Sequence, residues 1–199
     1  MWKNIEVKMV FLEKLCGSVP QNKEIVKRWL SVRKAPEGAK EEVLETVEDS
    51  QEKVTLGFQK DEKGIFLRGG TVKAHLKDCS NQIKDVLGVK NLRSKIANKV
   101  FVQESRIYLK RNDSEYIFEV DGEFDQPIHV ITGLGPRNAL KTIRFLTKPN
   151  IEFTLKILED KEVDIKIIEK IFEYGSIHGF GGERGMGEGR YEVRYGKET

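Results

Sequence analysis

Between Gly175 and Gly189 the chain places seven glycines, and two arginines, Arg184 and Arg190, stand within and just after that run. A hairpin turn needs one or two glycines. A run this dense admits positive φ and close backbone approach, at a cost in conformational entropy. Guanidinium groups pair with anionic oxygens, and N–H groups exposed in such a loop do the same. A dinucleotide fold requires strand, glycines, helix, so that the helix N-terminus faces the pyrophosphate. Here the order is helix, glycines, strand, which offers the wrong pole of the dipole. A Walker A loop is excluded too, because no Gly-Lys-Ser/Thr follows the glycines.

The other reactive side chains are sparse. The histidines are His75, His129 and His178, and His178 abuts the glycine run. Neither they nor Cys16 and Cys79 have the spacing of metal ligands, so no metal and no cofactor is expected. No nucleophile-elbow motif is present. Asp61, Asp78, Asp121 and Asp125 are scattered. Residues 132–139 (TGLGPRNA) form a second glycine turn, but the segment after it is short and β-rich. Arg137 and Arg144 lie nearby as solvated cations or as extensions of a basic groove.

These groups must be positioned by a mixed framework. Alternation over residues 4–14 puts Ile5, Val7, Met9 and Phe11 on one side of a strand. Residues 22–34 and 39–49 predict helices. Segments 54–59 and 64–68 predict strands around an Asp61–Gly64 turn. Thr71 is placed to cap a helix running to Leu87, with Gly88 as its C-terminal glycine. Residues 99–111, 115–124, 128–132, 140–146 and 150–158 are strand-like. An amphipathic helix over 164–174 opens at Asp164, and 190–195 closes the chain as a strand. Trimmed of insertions at 16–68 and 112–148, the order is βαββαβ, an α+β ferredoxin-like (RRM-like) pattern within a single domain, 1–199.

Hydrophobic residues, 38%, suffice for a core in a chain of 199 residues. Charged residues, 34%, must then go to exposed faces or to a charged ligand. The net charge of +3 does not announce a nucleic-acid binder, but its distribution is uneven. Residues 37–52 are acidic and residues 90–111 basic. The two cysteines suggest reduced thiols in a cytosol. No apolar run approaches the roughly 18 residues of a membrane span, and the N-terminus lacks an apolar signal region. A cytoplasmic protein without membrane contact is expected.

The helix, the loop Gly-x-Gly-Gly-x-Arg-x-x-Gly-x-Gly-Arg-aromatic and the final strand resemble the RAMP superfamily, the RNA-binding subunits of CRISPR effector complexes. Gly179, Gly181, Gly182, Arg184, Gly187, Gly189, Arg190 and Tyr191 carry the match. The segment IFLRGGTVKAHLKD, 65–78, resembles the family's glycine-rich entry into its first helix, with Gly70, Thr71 and Lys73 in place and its proline missing. The layout, with GSVPQNKEIVKRWL near its start, is also similar to RAMP-like proteins of tailed phages, which would place it in a host cytoplasm.

The resemblance implies binding of single-stranded RNA, with single-stranded DNA as an alternative. It also implies partnership with copies of itself or with other effector-complex subunits. Arg184 and Arg190 would meet phosphates, with Lys73 and Lys77 in the first turns of a helix whose N-terminus favours anions. Tyr174, Phe180 and Tyr191 would stack bases. Two other readings stay open. One is a metal-independent endoribonuclease using His178 or His75. The other is a phage structural or assembly protein that binds no nucleic acid.

Overall fold

A computed structural model describes residues 1–21, 54–112, 114–132 and 135–198. Among these it places three helices and many strands. The helices predicted at 22–34 and 39–49 lie outside the described residues.

The strands in chain order are β1 (Trp2–Phe11), β2 (Lys14–Cys16), β3 (Val19–Pro20), β4 (Val54–Gly57), β5 (Gln59–Asp61), β6 (Gly64–Arg68) and β7 (Val100–Val102). There follow β8 (Arg106–Tyr108), β9 (Lys110–Arg111), β10 (Glu115–Tyr116), β11 (Gly122–Thr132), β12 (Gly135–Thr147), β13 (Asn150–Leu158) and β14 (Tyr191–Glu198). The helices are α1 (Gly69–Ile83), α2 (Leu92–Lys99) and α3 (Ile165–His178), with a 3-10 turn at Arg184–Met186.

The main sheet is built around β1. It pairs antiparallel with β13, from Trp2↔Leu158 to Val10↔Asn150, and with β14, where Phe11 faces Tyr191. On its far side β13 pairs with β7. Its central order is thus β14-β1-β13-β7, with β9 also meeting β13 at Asn150↔Lys110 and β10 beyond it, α1 between β1 and β7 in the chain and α3 between β13 and β14. Each helix therefore carries the chain over an intervening antiparallel strand.

Alternation decides which face the helices cover. Ile5, Val7, Met9 and Phe11 of β1 are buried, as are Ile151, Phe153, Leu155 and Ile157 of β13. Against them lie Val72, Leu76, Cys79 and Ile83 of α1 and Ile168, Ile171 and Phe172 of α3, at helical spacing in one core. The opposite face carries exposed Trp2, Glu6, Glu152 and Lys156.

The two segments expected as insertions pair with each other. In a second sheet the long hairpin β11–β12 receives β2 antiparallel, at Phe145↔Cys16, and β4 parallel, at Thr142↔Thr55. A small third sheet joins β5, β6 and β8.

Several local expectations are corrected. The stretch 99–111 is not one strand, and α2 precedes it, with only Leu92 and Ile96 buried at i, i+4. So thin a stripe carries little periodic signal. Thr71 lies inside α1, which starts at Gly69 without a side-chain cap. Asp164 does cap α3, its Oδ1 accepting from the Ile167 N–H at 2.8 Å. α3 runs on through Gly175 to His178, one turn beyond the reading from periodicity.

Candidate nucleic-acid interface

α3 ends at Gly179, whose φ of +85° turns the chain out of the helix. The loop then folds back on residues 14–17. The Gly182 N–H donates to the Cys16 carbonyl and the Gly189 N–H to the Lys14 carbonyl, at 3.0 and 2.9 Å. The Gly179 N–H donates to Gly175 and the Gly187 N–H to Arg184, both at 2.9 Å. The expectation that these glycines offer bare N–H groups to a ligand is therefore corrected: these four donors are spent inside the chain. Gly189 shows why the residue type is needed. Its φ is +75°, and a Cβ there would stand 2.0 Å from the Phe180 carbonyl oxygen. Gly181 is similarly shut in, its Cβ position 2.8 Å from the Cys16 carbonyl oxygen.

The loop's aromatics are anchors. Phe180 and Tyr191 are 1% and 2% exposed, which removes the base-stacking role expected of them. Phe180 sets its edge against His75, ring centroids 5.0 Å apart, and Phe11 packs on both Phe180 and Tyr191. Tyr191 Oη and His75 Nε2 share a buried hydrogen bond of 2.8 Å. Tyr174 is half-buried and stacks on His178.

The same burial decides the catalytic candidates. Desolvation, reinforced by the nearby charge of Arg184, pushes the His75 imidazole down to about 3. At 7% exposure and enclosed by Cys79, Phe180 and Tyr191, it reaches no substrate, so it is withdrawn as a base. His178 is partly exposed at the end of α3. Its Nε2 lies 2.9 Å from Arg184 Nη1 and 3.3 Å from Asp78 Oδ2. One nitrogen cannot accept from Arg184 and donate to Asp78 at once. The guanidinium always carries its protons, so the Nδ1–H tautomer, accepting from Arg184, fits the shorter contact. His178 thus lacks a free Nε2 for proton transfer. Burial pushes both Cys16 and Cys79 up to about 12, far from thiolate chemistry. Among the described residues no group of three His, Cys, Asp or Glu side chains could hold a metal ion. The side chain of His129 lies outside the described residues.

What remains at the surface is cationic. Arg184 reaches back to α1, where Nη1 donates to Asp78 Oδ2 at 2.8 Å. This contact holds the Asp78 carboxyl below its usual range. Lys77 precedes Asp78, and Lys73 lies one turn earlier on the same side of α1. At the loop tip, Arg190 brings Nη2 to 3.6 Å from the Cβ position of Gly187. Lys73 and Lys77 on α1 and Arg184 and Arg190 on the loop thus bring four cations to this side, together with the carboxylates of Asp78, Glu183 and Glu188, of which Asp78 pairs with Arg184 and Glu183 with Lys141. Lys73, Lys77 and Arg190 make no ion pair among the described residues. Arg144, by contrast, pairs with Glu123 on the hairpin.

The sequence motif picked out the arginines but not Asp78, which fixes Arg184, nor Gly175, which makes room for the His75–Tyr191 bond. A Cβ at Gly175 would stand 2.3 Å from Tyr191 Oη.

No family model and no curated protein matches the chain. Solved structures do. A chain of the Type III-B Cmr-beta complex bound to cognate target RNA is similar with a TM-score of 0.55 at 12% identity, over 100% of this chain. This chain spans 60% of that one's length. A chain of a Type IV-B CRISPR complex is similar with a TM-score of 0.51 at 9% identity, over 97% of this chain and 90% of that one. At these identities the likeness is one of fold. Among the described residues, no helix is long and apolar enough to cross a membrane.

Proposed function

We propose that the chain is a RAMP-like, non-catalytic subunit that holds single-stranded RNA against the outer side of α1 and the tip of the glycine loop. Lys73, Lys77, Arg184 and Arg190 are the phosphate-binding groups. The glycines Gly179, Gly181, Gly182, Gly187 and Gly189 shape and seat the loop, and Tyr191 anchors it. The strand order β14-β1-β13-β7 with two crossover helices supports a ferredoxin-like core, with 16–68 and 112–148 inserted into one domain. The likeness to chains of CRISPR complexes supports partnership with RNA and with other subunits.

One observation carries this reading: Lys73 and Lys77, four residues apart on α1, and Arg190 of the loop make no ion pair among the described residues, while Arg184 ties that loop to α1 through Asp78. Unneutralised neighbouring cations repel one another, and a polyanion relieves that repulsion. The test is fluorescence anisotropy of a labelled single-stranded RNA at low and at physiological salt. Wild type should bind, and Arg184→Ala with Arg190→Ala should weaken binding at least ten-fold. Equal binding by the double variant would remove the site, and no binding by wild type would remove the function.

A further inference from the structure

The RNA reading leaves the helix-free face of the main sheet unused, and one corner of that face has an unusual composition. Trp2 on β1 and Phe101 on β7 are 47% and 39% exposed. They stand on strands separated by β13, yet their rings meet with centroids 6.0 Å apart at 57°. Asn4 faces Lys156 and Phe101 faces Lys156 in the strand registers, so Lys156 lies on β13 between the two aromatic strands. Its Nζ sits 5.2 Å from the Trp2 ring centroid. From α1, Lys73 brings its Nζ to 4.2 Å from the Phe101 ring centroid.

Other lysines around this sheet are neutralised. Lys3 pairs with Glu159, Lys8 and Lys110 share Glu152, and Lys95 and Lys99 pair with Glu162 and Asp160. Lys73 and Lys156 make no ion pair among the described residues and rest on rings instead. Partly exposed aromatic rings, each with an ammonium group over one side that has no carboxylate partner, match a ligand that alternates flat apolar rings with single negative charges.

We infer that Trp2 and Phe101 form a base-stacking platform for single-stranded RNA, with Lys73 and Lys156 holding the flanking phosphates. The inference rests on the RNA reading above and extends its site. Lys73 belongs to both parts. It lies five residues before Asp78, about 7–8 Å along α1, so a single strand passing the loop tip and Lys77 arrives at Phe101 within about two nucleotides. Stacking tolerates any base, so the platform would add affinity without sequence preference.

The test uses the full chain carrying Trp29→Phe, which leaves Trp2 as its one tryptophan. Titration with an unlabelled oligouridylate should quench Trp2 fluorescence. Trp2→Ala and Phe101→Ala, read by anisotropy of a labelled oligouridylate, should each weaken binding about ten-fold while leaving the salt slope unchanged. Lys156→Ala should lower that slope. Trp2→Leu, which keeps apolar bulk but not the π-face, should behave as Trp2→Ala, and circular dichroism confirms that each variant is folded. If wild type binds RNA while Trp2 fluorescence and the Phe101→Ala affinity stay unchanged, the platform falls and the loop site stands. If wild type does not bind, both fall. Self-association of wild type in sedimentation, abolished by Trp2→Ala, would reassign the corner to a second copy of the chain and overturn the inference.

Discussion

Tyr191 and His75 are 116 residues apart in sequence and meet through a 2.8 Å hydrogen bond that water does not reach. This bond ties the first residue of β14 to the middle of α1, and the glycine loop hangs from it. Phe180 and Phe11 pack around the pair, so the loop tip is presented from a rigid base. The cations at that tip owe their position to an apolar cluster beneath them.

Tyr191→Phe keeps the ring and deletes the hydroxyl, leaving the buried His75 Nε2 with only the weak contact of Cys79 Sγ at 3.6 Å. An unsatisfied buried polar atom costs about 1–3 kcal/mol. Urea denaturation should show that loss, and an unchanged midpoint would mean that the bond contributes nothing to stability.

Gly175→Ala would ordinarily stabilise a helix interior by about 1 kcal/mol. Here the added methyl would stand 2.3 Å from Tyr191 Oη and 2.8 Å from His75 Nε2. Overpacking of this kind costs about 1–3 kcal/mol. The variant should therefore be destabilised, and its effect should be non-additive with Tyr191→Phe, because both act on one contact. Thermal melts of the two single variants and the double variant decide this.

Stability should fall with acid well above the range of the carboxylates. Burial holds the folded His75 at about 3, whereas the unfolded imidazole titrates near 6.5. Between those values the unfolded chain binds a proton that the folded chain refuses. Stability is thus complete above about pH 6.5 and declines as pH falls, by up to about 1.4 kcal/mol per pH unit. Between pH 7 and pH 5 the loss should be about 2 kcal/mol in urea titrations of wild type. His75→Gln, which does not titrate, should flatten that difference.

Asp78→Asn should separate stability from binding. Its ion pair with Arg184 is partly exposed, 37% and 41% by side chain, so its loss should cost less than about 1 kcal/mol. Removing the carboxylate that pairs with Arg184 should tighten RNA binding at low salt. The four phosphate contacts of Lys73, Lys77, Arg184 and Arg190 contribute about −3 to the slope of the logarithm of affinity against that of salt, and Lys77→Ala should lower its magnitude by about 0.7. An Asp78→Asn variant that binds RNA more weakly would show that the ion pair's role is to orient Arg184.

Much of the framework was legible in the sequence because it rests on local periodicity. The alternation of Ile5, Val7, Met9 and Phe11, and of Ile151, Phe153, Leu155 and Ile157, reads directly as strands buried on one face. Asp164 announces the start of α3. The glycine run marks a loop under steric constraint, and its arginines mark charge at the surface. What the sequence could not decide was what fills the space that the glycines leave. Residues 14–17 take up the Gly182 and Gly189 N–H groups, and Tyr191 Oη stands where a side chain at Gly175 would, in a helix that continues where composition suggested a break. Phe180 and Tyr191 turn inward, while Trp2 and Phe101, which carried no motif, turn outward. Strand periodicity fixes only the side of a sheet to which a side chain points. Whether that side is covered, and which distant carboxylate, ring or carbonyl meets it, depends on contacts made only when the chain has folded.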